Sequence, residues 1–116
     1  MIQRHNPRPH LHGASVHNGV IYCSGHAATN LDLDMKGQTE EICAKLDTLL
    51  AELGSDKSKI LQARVYLSDM TAKAQMNEAW MEWIDAADMP SRAAIGGCDL
   101  GDPKRLVEIV VTAAVG

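Results

Sequence analysis

Arg92 is the residue of this chain whose type and position best suit ligand binding. It stands two residues after Pro90 in the segment Met89-Pro90-Ser91-Arg92-Ala93-Ala94, at the start of a predicted strand. A guanidinium is planar and always charged, so at the edge of a pocket it can hold a carboxylate through two parallel N–H···O hydrogen bonds. We therefore predict that Arg92 anchors a small anionic substrate. An ion pair across a subunit interface, with Glu108 as the partner, is the alternative interpretation.

Histidines form the second group of candidate chemical residues. All five occur within the first 26 residues, at His5, His10, His12, His17 and His26. His10 and His12 are predicted to share a strand face, but this spacing without a Cys or acidic partner is weak evidence for a metal site, and we predict none. His26 directly follows Ser24-Gly25 at the end of a predicted strand. We expect it either to line a cleft as a proton carrier or to have a surface or structural role.

The three cysteines are Cys23, Cys43 and Cys98, an odd number without a CxxC motif, as expected for reduced thiols in a cytosolic protein. Cys23 and Cys43 are predicted to be small buried side chains. Cys98 follows Gly96-Gly97, so we expect it in a loop or cleft. A nucleophilic role for its thiol lacks a partner in the sequence.

Charge and length limit the possible functions. The chain has 116 residues and a net charge of −4, and its 11 Lys and Arg residues are scattered. Binding to nucleic acid or to an anionic membrane needs a basic patch, so we expect neither. No apolar segment resembles a signal peptide or a membrane span, which predicts a cytoplasmic protein. The length fits one domain over residues 1–116, and its aromatic-poor core favours burial of further apolar surface in a homo-oligomer.

Turn and periodicity signals predict the first half of the fold. Strands at residues 14–17 and 19–25 flank Asn18-Gly19, a strong hairpin signal. A helix is predicted to begin near Gln38 and to end at Gly54, with Glu40 and Glu41 in its first turn, where acidic groups interact favourably with the helix dipole. Its apolar stripe consists of Ile42, Leu46, Leu49, Leu50 and Leu53. These spacings mark one helical face that packs on a sheet.

The second half repeats the strand and helix order. Leu61, Ala63, Val65 and Leu67 alternate with more polar residues, which predicts a half-buried strand. Residues 68–71 supply N-cap candidates for a second helix, which would end at residues 88–90. Its buried face is predicted to contain Met76, Trp80, Trp83, Ile84 and Ala87, with the tryptophans as packing residues. A short strand at 93–96, a loop at 96–104 and a long strand at 105–114 complete the chain.

The element order ββαβαββ predicts an α+β two-layer domain, with a single sheet covered by two helices on one face. Apolar residues occupy both faces of the last strand. One face carries Val107, Ile109, Val111 and Ala113, and the other carries Leu106, Glu108, Val110 and Thr112. A strand that is apolar on both faces is buried on both, so we expect the face away from the helices to pack against another subunit.

Several short segments together resemble the RidA/YjgF family. They are Tyr22-Cys23-Ser24-Gly25-His26, Gln38-Thr39, residues 46–54, Val65-Tyr66-Leu67-Ser68-Asp69-Met70, Met76-Asn77, Pro90-Ser91-Arg92 and Val107-Glu108-Ile109. The resemblance covers nearly the whole chain. The segment Asn77-Glu78-Ala79-Trp80, the second tryptophan Trp83 and the Met89-Pro90 junction resemble the YoaB-type branch of that family.

The resemblance implies a chorismate-mutase-like fold with a single mixed sheet, assembled as a homotrimer with three clefts between subunits. It also implies hydrolysis of 2-imino or enamine acids to 2-keto acids and ammonia, without a metal or cofactor. An imine carbon is already electrophilic. Holding the carboxylate, placing a water molecule and moving one proton would therefore suffice, with about 10²–10⁴-fold expected from a general acid or base.

The resemblance also implies roles for individual residues. Arg92 matches the carboxylate-binding arginine of the family, and Ser24 matches a cleft-lining serine that precedes Gly25. Asn77 is a further candidate for the cleft, or for a contact between subunits. Ala94 stands where the family carries a cysteine near the substrate.

Two other positions depart from the family pattern. Leu11 stands where the family carries a cleft tyrosine. The family's water-positioning glutamate on the last strand falls at Val110, and Glu108 lies two residues earlier on the same face, displaced by about 6–7 Å. Glu108 is predicted to replace that glutamate if the strand register or the substrate shifts.

Three functional hypotheses follow. In the first, the protein is an imine or enamine deaminase that acts on a small carboxylate between subunits, with Arg92, Ser24, Glu108 and His26 as catalytic candidates. In the second, it binds a metabolite similar to a 2-keto acid, as a regulatory protein without deaminase activity. The third is the ribonuclease activity reported for some family members, which the acidic charge and the lack of a His/Lys pair make less favoured.

Overall fold

Seven strands and two helices make up the protein, and the computed structural model describes all residues from Met1 to Gly116. In chain order they are β1 (Gln3–Pro7), β2 (His12–His17), β3 (Val20–Cys23), β4 (His26–Ala27), α1 (Met35–Glu52), β5 (Ile60–Leu67), α2 (Lys73–Trp83), β6 (Ser91–Ile95) and β7 (Val107–Ala114). Short 3₁₀ turns occur at Lys57–Lys59, Met70–Ala72 and Ala86–Asp88. The predicted order lacks β1 and β4, because β1 is polar without apolar alternation and β4 has only two residues.

All seven strands form one mixed sheet in the order β1-β2-β3-β7-β5-β6, with β4 beside β7. Only β5 and β6 are parallel, and α2 provides the long connection that a parallel pair needs. The prediction of a single sheet in an α+β fold is confirmed. Since β6 is an edge strand, the topology places Arg92 at the border of the sheet.

The Asn18-Gly19 hairpin is confirmed. His17 pairs with Val20, so the loop has two residues, and both have positive φ angles, +50° and +77°. This is the conformation of a type I′ turn, which Asn and Gly adopt at low cost. The hairpin sets the pairing register of β2 and β3. Just after β3, the Ser24 N–H donates to the Gly13 carbonyl of β2 at 2.9 Å.

Helix α1 begins three residues earlier than predicted, because Asp34 caps it: the Asp34 carboxylate accepts the Gly37 N–H at 2.8 Å. The placement of Glu40 and Glu41 in the first turn is therefore wrong, since that turn contains no acidic residue. The C-terminal stop is confirmed, because Gly54 follows the helix with a φ of +76°.

Helix α2 ends earlier than predicted. Ile84 leaves the helical conformation with a φ of −100° and a ψ of 132°, so Ala87 falls in a 3₁₀ turn and is exposed. Its assignment to the buried face is wrong, because the extended Ile84 turns the chain away while its own side chain stays buried. The packing role of the tryptophans is confirmed: Trp80 and Trp83 are buried, and their ring centroids lie 5.6 Å apart in an edge-on arrangement.

A bulge in β5 reverses the predicted orientation of Leu61. The pairing of β5 with β7 shifts between Ile60 and Gln62. As a result Ile60 is buried, whereas Leu61 is 50% exposed. One extra residue in a strand turns the following side chains to the other face, which the alternation of apolar residues cannot reveal. From Ala63 onward the predicted alternation is confirmed.

The core lies between the two helices and one face of the sheet, which we call the inner face. Both helices and the inner face contribute to a single cluster of 21 buried residues. On β7 the inner residues are Val107, Ile109, Val111 and Ala113. The opposite, outer face of β7 is only half-buried in the single chain. The two-layer arrangement is thus confirmed, and neither helix has the length and apolar character to cross a membrane.

The two predictions of buried thiols are also confirmed. Burial raises the pKa of Cys23 to about 11 and that of Cys43 to about 12. Cys98 lies in the loop between β6 and β7 and is half-buried, with its thiol 3.4 Å from the Ile95 carbonyl. Cys98 follows the end of the Arg92 strand and is directed at backbone oxygens of its own loop.

Candidate functional site

Arg92 lies against helix α2 on the inner side of the edge strand. It is opposite Ala63 in the β5–β6 pair, and Ala63 is buried in the core, so both side chains share the inner face. Its Nη2 donates to Asn77 Oδ1 at 2.7 Å, and its Nη1 lies 3.6 Å from the Met76 sulfur. The guanidinium carbon is 5.6 Å from the centroid of the Trp80 ring, within cation–π range.

The partners of Arg92 are all neutral. The chain contains 15 acidic residues, yet none of its ion pairs involves Arg92. Desolvation by burial lowers the pKa of Arg92 from its ordinary value, but a guanidinium stays charged in proteins. The side chain is therefore a partly buried, fixed cation without a counter-ion in its own chain. The alternative of an ion pair with Glu108 is not formed within one chain.

A cleft of about 430 Å³ opens beside this cation. It is lined by Asn77, Trp80, Met81, Met89, Pro90 and Arg92. The first three lie on one face of α2, because residues three and four apart are neighbours on a helix. The polar groups are grouped around Arg92, and the remaining wall is apolar. A carboxylate on Arg92 would leave the rest of a small molecule against Trp80 and the two methionines.

Ser24, Gly25 and Glu108 meet at a different place, on the outer side of the sheet. The pairing partner on β7 shifts by one residue between Tyr22 and His26, so Ser24 and Gly25 form a bulge. A Cβ atom at Gly25 would lie 2.7 Å from Glu108 Oε2, which shows that the carboxylate packs directly on this bulge. A larger residue at position 25 would push the Glu108 carboxylate out of this position.

Glu108 lies on β7 beside the one-residue shift in pairing that forms this bulge. It lies opposite Ala27 in β4 and opposite Tyr66 in β5, whereas Val110 lies further along, opposite Arg64. Glu108 makes no hydrogen bond or ion pair within the chain. The acid beside the Ser24 bulge is therefore Glu108, and Val110 lies two residues further along the same face of β7.

The His26 ring lies on the other side of the sheet from Glu108. His26 is paired directly with Ile109, whose side chain is in the core, so the imidazole is on the inner side. It lines a cleft next to helix α1 that does not contain Arg92. The structure does not bring this ring to the Glu108 carboxylate, although the two residues are on paired strands.

The His26 ring is held by its own chain. Its Nδ1 is 2.9 Å from the Ser24 carbonyl oxygen, and because a carbonyl only accepts, Nδ1 carries the hydrogen in the neutral ring and Nε2 is left as an acceptor. Desolvation by burial lowers the pKa of His26, and the charges of Arg8 and Lys45 lower it further. The hydrogen bond to the Ser24 carbonyl and the charge of Glu108 act in the opposite direction. The net effect favours the neutral ring.

Within one chain the predicted site residues form two separate groups. Glu108 lies level with Tyr66 and Ile95, two strand spacings from β6 and three residues along from Arg92, which amounts to roughly 14 Å. The two side chains also lie on opposite faces of the sheet. Ala94, the neighbour of Arg92 on the inner face, packs against the core and presents no polar group.

The other histidines do not form a metal site. His10 lies outside the strands, in the turn before β2, so its predicted shared strand face with His12 is wrong. No group of three or more His, Cys, Asp or Glu side chains is arranged to hold a metal ion.

Trp80 and Met81 are site residues that the sequence reasoning missed. Trp80 was assigned to packing alone, but the same ring that is buried in the core also lies under the guanidinium. The signal available in the sequence was their spacing of three and four residues from Asn77 on a helix. This spacing points to a site only because β6 places Arg92 beside the same face of α2.

Comparison with known proteins agrees with this fold. The family profile described as Endoribonuclease L-PSP matches residues 1–115. The chain belongs to the RidA/YjgF family. The resemblance inferred from the sequence segments is therefore confirmed. A RutC family protein of Haemophilus influenzae is 42% identical over 113 residues, which is 97% of each chain.

Members of the YoaB branch and solved structures of the RidA/YjgF family are also similar. The RutC family protein YoaB of Escherichia coli is 40% identical over 100 residues, or 86% of each chain. A crystal structure of a YjgF family member from Neisseria meningitidis superposes with a TM-score of 0.95 at 36% identity, covering 100% of this chain and 96% of that one. The predicted similarity to the YoaB branch is confirmed.

Proposed function

We propose that this member of the RidA/YjgF family hydrolyses the imine or enamine form of a small 2-amino acid derivative, in a cleft completed by a second copy of the chain. Arg92 of one copy binds the substrate carboxylate. Ser24, Gly25 and Glu108 of the neighbouring copy face the reacting carbon and its water. Homotrimeric assembly, which the family resemblance implies, would bring these two groups together.

The observation that carries this proposal is the unpaired cation at Arg92. A partly buried guanidinium is costly to leave without an anion, and Asn77 supplies only a neutral acceptor at 2.7 Å. The rigid support from Asn77 and Trp80 orients the charge before a ligand arrives. Preorganisation of this kind is what a carboxylate anchor requires.

Glu108 is the candidate for water activation. It is an acid without a partner in the chain and lies against a backbone bulge that leaves space for its carboxylate. In the proposed reaction a water oxygen bonds to the imine carbon while Glu108 accepts a proton from it. Glu108 passes this proton to the imine nitrogen as the C=N double bond becomes a single bond, which gives a carbinolamine. Glu108 then takes the hydroxyl proton as the C=O bond forms and passes it to the nitrogen as the C–N bond breaks, so that the products are a 2-keto acid and ammonia. A general base of this kind contributes about 10²–10⁴-fold, and no cofactor is needed because the carbon is already electrophilic.

A binding protein without catalysis is the second candidate, favoured by Leu11 and Ala94. Both positions lack the polar groups that the family resemblance places there, and Ala94 contributes only a methyl group near Arg92. Such a protein would retain 2-keto acid binding at Arg92. Ribonuclease activity, which the family description names, is less favoured because the net charge is −4.

Ketoacid release from 2-iminobutyrate, generated in situ by a pyridoxal-phosphate dehydratase, tests the proposal. We expect acceleration by the wild-type protein, a loss of at least about 100-fold in Arg92→Ala and a similar loss in Glu108→Gln. Arg4→Ala removes a cation from β1, outside the site, and should have no effect. No acceleration, combined with 2-ketobutyrate binding that Arg92→Ala abolishes, would establish the binding protein instead.

Mixing inactive variants tests the shared cleft. If each site takes Arg92 from one copy and Glu108 from the next, trimers reassembled from equal amounts of Arg92→Ala and Glu108→Gln contain about a quarter of intact sites. Activity should return to about that fraction. No recovery in mixed oligomers, verified by mass, would show that the two residues do not act in one site between subunits.

A further inference from the structure

A second cleft lies between helix α1 and the turn that follows β1. Its volume is about 360 Å³, and it is lined by Asn6, Arg8, Gly25, His26, Ala27, Lys45, Thr48, Leu49 and Glu52. The four residues from α1 lie on one face of the helix, three or four positions apart. Apart from Gly25 and His26, none of these residues belongs to the site proposed above, and Arg92 is not among them.

The two cations of this cleft differ in whether their charged groups already have partners within the chain. Lys45 Nζ is fixed by the Ala27 carbonyl at 2.8 Å, the Thr29 hydroxyl at 2.7 Å and the Glu41 carboxylate at 3.3 Å. Arg8 is exposed, and its guanidinium makes no hydrogen bond or ion pair in the chain. Its position is set by the turn, where the Arg8 N–H donates to the Leu11 carbonyl at 2.7 Å. Arg8 is therefore the group available to a ligand.

His26 supplies an acceptor in the same cleft. Its Nδ1–H is engaged with the Ser24 carbonyl, and its Nε2 has no partner. Burial and the charges of Arg8 and Lys45 lower the pKa of His26 against the opposing effects of the Ser24 hydrogen bond and Glu108, and the neutral ring keeps Nε2 as a hydrogen-bond acceptor. Glu52 is the one carboxylate in the lining, but it is exposed and is not among the charges that act on His26. The lining therefore holds two cations, Arg8 and Lys45, and one carboxylate.

We propose that this cleft is a second binding site, for a small oxyanion that carries a hydroxyl group next to its charge. Arg8 binds the charged oxygen, and Nε2 of His26 accepts the hydroxyl hydrogen. A simple anion satisfies Arg8 but leaves Nε2 without a donor, so the pair selects for the hydroxyl. Hydrogen phosphate and 2-hydroxy carboxylates share this chemistry. The site is complete within one chain.

Two matched pairs of probes distinguish phosphate from 2-hydroxy carboxylates as the ligand, and they test whether the hydroxyl group is needed for binding. They are inorganic phosphate against sulfate, and lactate against propionate, each titrated at about pH 7.5. The readout is the ring C–H resonance of His26, assigned from its loss in His26→Gln. We expect the hydroxyl-bearing member of at least one pair to bind about 5- to 10-fold more tightly than its partner, since one hydrogen bond is at stake. The pair that contains the more tightly bound probe shows whether the ligand is a phosphate or a 2-hydroxy carboxylate.

Arg8→Gln should weaken that binding by about tenfold or more, because a charge-assisted contact is lost. Arg4→Gln is the matched control: it makes the same charge change on β1 outside the cleft and should retain binding. Glu52→Gln should strengthen binding slightly, since it removes the one acidic group of the lining. Both Arg8 and Arg4 are exposed, so these variants are expected to fold.

Three results from the probes and the Arg8 variant would overturn the proposal. They are equal affinity within both pairs, no response of the His26 resonance to any probe, and wild-type binding by Arg8→Gln. Arg92→Ala separates this site from the proposed active site. Retained binding in that variant supports an independent cleft, whereas its loss would assign the anion to Arg92 of another copy.

Discussion

Replacing Gly25 by alanine measures whether the Glu108 carboxylate occupies the place that the structure gives it. The new Cβ would lie 2.7 Å from Oε2 and 2.8 Å from Cδ of Glu108. Ordinary contact distances are about 3.5 Å, so the carboxylate must retreat by roughly 0.8 Å. Gly25 is not one of the glycines with a positive φ, and alanine therefore fits the backbone without strain. The substitution displaces the Glu108 carboxylate but does not add or remove any charged residue.

The stability change can be worked out from two opposing effects. Forcing Glu108 out of its preferred rotamer costs about 0.5–1.5 kcal/mol. Alanine also reduces the freedom of the unfolded chain, which stabilises the fold by about 0.4–1 kcal/mol. In a Glu108→Ala background only the second effect remains. Gly25→Ala should therefore stabilise that background, while in the wild type the gain is cancelled or reversed, giving a coupling energy of about 0.5–1.5 kcal/mol.

Urea unfolding of the four proteins of this cycle, at one common protein concentration, gives the coupling. A coupling energy of zero within error would refute the contact between Gly25 and Glu108. Imine hydrolysis supplies a second readout. A displacement of this size is expected to lower the rate by up to about 100-fold if Glu108 activates water. If Gly25→Ala has wild-type activity and the expected coupling energy, the contact between Gly25 and Glu108 is supported and the catalytic role of Glu108 is rejected.

Three further substitutions test other parts of the structure. Asn77→Ala removes the acceptor that Arg92 Nη2 meets at 2.7 Å, and 2-ketobutyrate binding measured by calorimetry should weaken about 5- to 20-fold. Asp47→Ala removes the carboxylate that Trp83 Nε1 meets at 3.0 and 3.1 Å, and the free energy of unfolding in urea should fall by about 1–2 kcal/mol. His26 has a lowered pKa, so the folded state binds fewer protons than the unfolded state. Unfolding free energy should therefore decrease as the pH falls below 6.5, and His26→Gln should reduce this dependence.

Each of these substitutions has a control that leaves the named contact intact. Gln75→Ala changes an exposed amide on α2 outside the Arg92 cleft, and equal loss of binding in both variants would contradict the role of Asn77. Glu52→Ala removes an exposed acid of α1 without a partner, and a loss as large as that of Asp47→Ala would contradict the indole contact. His17→Gln changes an exposed histidine of β2, and an equal effect of both histidine variants would contradict the assignment to His26.

Local signals in the sequence were sufficient where neighbouring residues decide the structure. The Asn18-Gly19 turn, the apolar stripe of α1 and the stop at Gly54 depend on backbone preferences and helical spacing within a few residues. Errors arose where distant groups intervene. Leu61 is turned outward by a bulge against β7. The start of α1 is a local exception, because the Asp34 carboxylate three residues before Gly37 caps the helix.

The sequence by itself determined the α+β class, the family resemblance and the choice of Arg92, because these depend on residue order and on the chemistry of a guanidinium. Only the tertiary structure decided which groups meet. Strand pairing places Arg92 and Glu108 on opposite faces of the sheet, brings Trp80 under the guanidinium and turns His26 toward Arg8. The face that a side chain occupies depends on bulges and on partners far away in the chain, and a one-residue shift in pairing is enough to change it.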